Sequence, residues 1–172
     1  MISMAELNAL PTHDFAAALG GIFEHSPWVA QRACAARPFE SRRQLLEAMC
    51  AAVAQATPDE QLVLIRAHPK LKVSGRAREE LTAASSREQR GAGLDACTAD
   101  EAARLDALNA RYVEKFAMHF ILAVRGHTAQ SIIEVCERRL SNDAMSERRA
   151  ALQQIGLIAG YRLADMVSEA GS

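Results

Sequence analysis

The chain carries no surplus of charge. Its net charge is -1, and its basic and acidic residues are mixed throughout, which leaves no basic face for nucleic acid. It has no apolar run long enough to span a membrane, so no membrane partner is expected. The N-terminus lacks a basic start followed by an apolar core, and the C-terminal EAGS is not of the S-K-L type. Cys34, Cys50, Cys97 and Cys136 form no C-x-x-C pair and read as small buried hydrophobes in a reducing cytosol, so the expected location is cytoplasmic. No H-x-x-x-H occurs, and neither His119 nor His127 has a Cys, Asp or Glu at ligand spacing, so no metal is expected. There is no internal repeat, low-complexity segment or linker.

What is present is one domain's worth of chain, residues 1–172, patterned as a series of capped helices. Ser3 and Glu6 make a capping box for a first helix that stops at Pro11. Thr12 can cap a second helix ending at Gly20-Gly21. Ser26-Pro27 starts a third, with Trp28 in its first turn, either as a core anchor or as the wall of a pocket. Ser41 and Gln44 make another box. Thr57-Pro58-Asp59-Glu60 is the clearest start signal, with a cap, a first-turn proline and two acids at the positive helix end. Thr98 and Glu101 open a long helix with an apolar stripe at Leu105, Leu108, Tyr112 and Phe116, and Asn109 lies beside it. Thr128 and Asp143 cap the last two helices. Gly156 and Gly160 stand four apart in the final one and permit close packing. No strand pattern competes. The expected class is all-α, a single-domain helical bundle of about eight or nine helices.

The stretch from Arg66 to Leu94 carries the chemistry. Pro69 forces the preceding residue out of the α region, so a helix must end at His68 and leave its imidazole at a terminus. An imidazole placed there should cost little packing to remove. Lys70 to Gly75 reads as a solvated loop, and Arg76 to Ala84 can form a short helix. Ser85-Ser86-Arg87-Glu88 then has the form of a cap with a box glutamate. Glu88 is therefore either the acid/base partner of His68 or a carboxylate bound to the start of its own helix. Between Ala117 and Leu122 the polar/apolar period is lost. Buried irregular backbone needs something to satisfy it, and a ligand is one candidate. Arg162 is either a surface residue near a helix C-terminus or an inward arginine that needs an anion or a carboxylate.

These pieces, in their order, resemble the 2-oxo-4-hydroxy-4-carboxy-5-ureidoimidazoline (OHCU) decarboxylases of urate breakdown. The resemblance runs from Ser26 to Val167. It rests on S-P-W at Ser26 to Trp28, Q-L-V-L-I-R-A-H-P at Gln61 to Pro69, L-T-A-A-S-S-R-E-Q-R-G-A-G-L-D at Leu81 to Asp95, L-N-A-R-Y-V-E-K-F at Leu108 to Phe116, and R-L-A-D at Arg162 to Asp165. It implies an all-helical homodimer that needs no metal or organic cofactor and takes the small molecule OHCU to (S)-allantoin. Its site maps onto His68 and Glu88 as catalytic residues. Pro69, Ser85, Gln89 and Arg162 bind substrate, with main-chain contacts near Phe120 and Ile121. Two positions depart from the family pattern. Lys70 stands where aspartate is frequent, and Ala117-Met118-His119 replaces G-F-P. The competing readings are a non-catalytic helical interaction module and a related ureido or imidazoline lyase.

Overall fold

In a computed structural model, the described residues are 1–71, 82–91 and 97–169, with the side chains of 89–91 outside that set. The elements run β1 (Ile2–Ser3), α1 (Met4–Ala9), α2 (Thr12–Leu19), α3 (Trp28–Ala33), a 3-10 turn (Cys34–Ala36), α4 (Arg42–Ala54), α5 (Pro58–Ala67), α6 (Ala83–Gly91), α7 (Ala99–Phe116), α8 (Ala129–Arg139), α9 (Ala144–Met166) and β2 (Val167–Ser168). The class is all-α. Among the described residues the strands are one parallel pair, Ile2 opposite Val167 and Ser3 opposite Ser168. No described helix is long and apolar enough to cross a membrane.

Helix starts follow the chemistry of their caps. Ser3, Thr98 and Thr128 each hold the backbone N–H three residues on, and the residue there bonds back in a reciprocal box. Thr57 and Glu60 make the same exchange at α5. Asp143 Oδ1 accepts from the N–H groups of Met145 and Ser146 at 2.9 Å each, and so starts α9. Details differ from expectation at α2, α3 and α4. Thr12 is the first residue of α2 rather than its cap, and its hydroxyl accepts from Arg37 Nη2 at 3.2 Å. Pro27 precedes α3, whose first residue is Trp28. Ser41 caps α4, but Gln44 Oε1 accepts from the N–H of Glu40 instead of closing the box on Ser41.

Contacts gather into two units. The first comprises Met1–Ala67 and Ile155–Ser172. Within it α2, α3 and α4 pack together over Phe15, Leu19, Val29, Leu45 and Met49, all buried. Asn8 clamps the main chain of Phe39 from both sides, at 2.8 and 2.9 Å. The two glycines of α9 do allow close approach: a Cβ at Gly156 would lie 3.3 Å from Cys50 Sγ, and one at Gly160 would lie 3.2 Å from Leu46 Cδ2. Trp28 is half-buried beneath the guanidinium of Arg32, 4.5 Å from its ring centre, so it is not a fully buried anchor.

The second unit comprises His68–Gln154. Here α7 packs on α8 through the expected stripe of Leu105, Leu108, Tyr112 and Phe116, all buried. Each such side chain removed from water contributes about 1.5–3 kcal/mol. The helix stops because Ala117 turns into the left-handed region at φ 53°, its N–H still bonded to the Val113 carbonyl.

Candidate active site

The end of α5 fixes His68. With Pro69 next in the chain, the helix stops at Ala67, as the sequence required. His68 is not at an exposed terminus, however. It is 3% exposed, so the expectation that its removal costs little packing is corrected. Pro69 is half-buried and Lys70 exposed. Just beyond, the carbonyl of Leu71 accepts from Asn109 Nδ2 at 3.2 Å. That bond explains the lone polar residue beside the α7 stripe: it holds the main chain three residues after His68. Its Oδ1 is buried and has no hydrogen-bond partner among the described residues.

Ser85 and Glu88 lie on α6, whose start differs from the expected one. The cap is Thr82. Its carbonyl accepts from the Ser86 N–H at 2.9 Å, and its hydroxyl faces the N–H and hydroxyl of Ser85 at 3.3 and 3.1 Å. Ser85 therefore occupies the box position and is buried at 3%. Glu88 falls a turn further on and is half-buried. It cannot be the box glutamate of this start, so the capping reading of Glu88 fails. Ala83 and Ala84 belong to this helix and Thr82 is its cap, while residues 76–81 of the expected Arg76–Ala84 helix lie outside the described residues. The expected loop beyond Leu71 and the side chain of Gln89 lie outside them too.

Arg162 projects from α9 within the first unit and is inward, at 6% exposure. The surface reading is overturned, and the carboxylate that an inward arginine requires is Glu24. Glu24 is 2% exposed, and its Oε2 accepts from Arg162 Nη1 at 2.6 Å. The same nitrogen donates to the carbonyls of Gly21 at 3.2 Å and Ile22 at 3.5 Å. His25, the residue after Glu24, holds φ 48°. The sequence reading missed Glu24. The only signal for it was the unmet need of Arg162.

The irregular segment after α7 is buried from Phe120 to Val124. Two of its main-chain groups are held by side chains of the second unit. Arg139 Nη1 donates to the Ile121 carbonyl at 2.7 Å, and Gln154 Oε1 accepts from the Ala123 N–H at 3.0 Å. The Phe120 ring lies between Arg139, 4.9 Å away, and Tyr112, edge-on at 5.2 Å. Glu147, 0% exposed, holds Arg139 through Nε at 3.0 Å and also accepts from Asn142 Nδ2 at 2.8 Å and from the Tyr112 hydroxyl. Burial pushes the Glu147 carboxyl up and the Arg139 guanidinium down to about 10. The donors converging on both carboxylate oxygens oppose the first shift, and a guanidinium at about 10 is charged at neutral pH, so the pair stands as ions. None of Arg139, Glu147 and Gln154 was singled out from sequence. A tyrosine on a core stripe needs a partner for its hydroxyl, and that was the available clue.

The second unit thus holds His68, Pro69, Ser85, Glu88, Phe120 and Ile121, and the first holds Arg162. An imidazole, a carboxylate and a serine hydroxyl are the groups that general acid/base chemistry uses. A hollow bounded by Arg32, Ala48, Gln55 and Glu60 contains none of the candidate residues. Among the described residues, no three His, Cys, Asp or Glu side chains gather as a metal site.

Comparison with known proteins gives the same family by several routes. The family model described as OHCU decarboxylase matches residues 8–164. A 2-oxo-4-hydroxy-4-carboxy-5-ureidoimidazoline decarboxylase of Haloferax volcanii is 39% identical over 97% of this chain and 97% of its own. The uric acid degradation bifunctional protein of Bacillus sp. (strain TB-90) is 38% identical over 98% of this chain, which corresponds to 33% of that longer protein. The crystal structure of (S)-allantoin synthase superposes with a TM-score of 0.77 at 29% identity, covering 96% of this chain and 54% of that one. The crystal structure of an OHCU decarboxylase in the presence of (S)-allantoin shares the fold, with a TM-score of 0.67 at 19% identity over 88% of this chain and 95% of that one.

Proposed function

The chain belongs to the OHCU decarboxylase family, and on that premise we propose that it removes CO2 from 2-oxo-4-hydroxy-4-carboxy-5-ureidoimidazoline to give (S)-allantoin in urate degradation. The observation that carries this is the family match along residues 8–164, which runs through both units. It also supports reading 1–172 as one functional domain. The enzyme is a carboxy-lyase acting on a small molecule.

The chemistry needs no electron carrier. One ring carbon of the substrate bears both the carboxylate and a hydroxyl, and its neighbour is part of a carbon–nitrogen double bond. When the carbon–carboxylate bond breaks, its electron pair forms a carbon–carbon double bond, and the pair of the C=N bond moves onto nitrogen, which takes a proton. The resulting enol then loses its hydroxyl proton to become a carbonyl, and the neighbouring carbon takes a proton. The ring is its own electron sink, so a bound organic cofactor has no step to perform.

Four tasks remain for the protein: holding the carboxylate out of the ring plane, stabilising oxygen charge, excluding water, and delivering the proton to one face. His68 moves the proton, and its burial keeps bulk water from competing. Glu88 orients His68 or holds the ureido group. Arg162, steadied by Glu24, fixes a carbonyl or anionic oxygen with its fork of donors. Ser85 and Gln89 read the ureido and ring amides, and Pro69 with the main chain at Phe120 and Ile121 forms the wall. The family resemblance further supports a homodimer, which light scattering would measure, and the four free cysteines support a cytoplasmic location.

The test is incubation with freshly generated OHCU, with and without exhaustive chelation. The expected result is rapid decarboxylation to one enantiomer of allantoin, unaffected by the chelator. Decay at the spontaneous rate to racemic allantoin would overturn the assignment. Loss of activity on chelation, restored by one metal, would overturn the metal-free chemistry.

A further inference from the structure

We propose that the Arg139–Glu147 pair is the positioning device for the Phe120–Ile121 wall, and that it sets substrate affinity and facial selectivity without touching the substrate. The proposal rests on the reading that this wall meets the substrate. An irregular segment has no helix ladder to fix its φ and ψ, so its shape is set by whatever bonds its polar groups. One guanidinium holds it at two points here, one polar and one aromatic. Nη1 holds the Ile121 carbonyl at 2.7 Å while the same planar group lies 4.9 Å over the Phe120 ring. The guanidinium is in turn fixed at Nε and Nη2 by Glu147, and Glu147 is fixed by Tyr112 and Asn142.

Each end of the device is anchored in regular structure. Arg139 closes the last turn of α8 and Glu147 lies in the first turn of α9. Both charges suit the helix ends on which they sit. Tyr112 comes from the C-terminal part of α7. Three helices thereby fix the position of two wall residues. Lysine cannot substitute, because a point charge cannot hold a carboxylate and a carbonyl in one plane and also cover a ring.

The test uses Arg139→Lys and the charge-neutral double variant Arg139→Met/Glu147→Gln, which leaves no unpaired buried charge and keeps an acceptor for Tyr112. Two readouts are taken on the full chain. Amide hydrogen exchange of residues 118–124 reports the clamp without reference to catalysis. Steady-state kinetics with the optical purity of the allantoin report its use. The expected result is faster exchange confined to that segment, a fall in kcat/KM of at least about tenfold carried mainly by KM, and product that is no longer a single enantiomer. Exchange unchanged in 118–124 overturns the proposal. So does a rate that falls only with the folded fraction, at wild-type KM and full optical purity. An inactive wild type would instead sink the decarboxylase reading, and the exchange readout alone would then decide whether the clamp exists.

Discussion

Among the described residues two arginine–glutamate pairs are buried, and they are built differently. Arg139 and Glu147 are eight residues apart, at the end of one helix and the start of the next. Helix dipoles favour both charges, Tyr112 and Asn142 share the carboxylate, and the pair closes on the molecule's own main chain. Arg162 and Glu24 are 138 residues apart. Arg162 lies inside a helix, where no terminal dipole helps it, and Glu24 comes from a loop whose next residue holds a positive φ. Desolvating two ions is costly, and in the second pair the bonds from Arg162 to Glu24 and to the Gly21 and Ile22 carbonyls offset that cost without help from a helix dipole. The first pair is a clamp. The second holds an arginine in one place, which suits the substrate-binding role proposed for it.

The sharpest way to break this contrast is Arg162→Met. It strands Glu24 in the core, which should cost about 3–5 kcal/mol of stability, and decarboxylation should fall by at least about a hundredfold. The double variant Arg162→Met/Glu24→Leu should recover most of the stability, measured by denaturant unfolding, and none of the activity. Activity returning with stability would make Arg162 a second clamp and erase the distinction.

A smaller effect is expected at the turn that leads into the clamped segment. Ala117 holds φ 53° where glycine is frequent in the family pattern. Replacing it with glycine removes the left-handed strain but adds freedom to the unfolded chain, for a net gain of about 0.5–1 kcal/mol. If Arg139 rather than this turn shapes the wall, KM should not move. Thermal unfolding and steady-state kinetics check the two halves.

The surface pair Arg32–Glu60 supplies the third term of the comparison and the smallest effect. Its side chains are 46% and 39% exposed. The hydrogen bond from Arg32, and then that from the Thr57 N–H, hold the Glu60 carboxyl down to about 2. A lowered folded pKa means the contribution is present above the ordinary value of 4.5 and is lost as pH falls from there toward about 2. The stability difference between wild type and Glu60→Gln should therefore be present at pH 6 and fade across that window. A difference independent of pH would show that the pair contributes through packing alone.

Local chemistry was the legible part. Ser3, Thr57, Thr98, Thr128 and Asp143 start helices where their side chains can hold a nearby N–H, which a sequence states directly. The start of α6 was misread because Thr82-Ala-Ala-Ser85 and Ser85-Ser-Arg-Glu88 both have cap spacing. Ala83 and Ala84 are strong helix formers, and they settle it in favour of the earlier start. Burial was less legible. His68 was read as a helix-end residue outside the core, because a proline fixes where a helix stops but not what covers the stop. Long-range polar partners were not legible at all. Glu24 and Glu147 resemble surface acids until the arginines that need them are in place, and no periodicity connects residue 24 to residue 162.

The most direct measurement is the rate and optical purity of allantoin from His68→Asn beside wild type, below the unfolding midpoint of both. Because His68 is 3% exposed, the substitution should cost about 1–3 kcal/mol of stability, so folding is confirmed first. Asparagine keeps a hydrogen-bonding side chain but cannot exchange protons near neutrality. The prediction is wild-type formation of one enantiomer, a loss of at least about a hundredfold in the variant, and residual product that is racemic, because an enol in water takes its proton on either face. A folded variant that still makes a single enantiomer at a near-normal rate would contradict the account and move proton delivery away from His68.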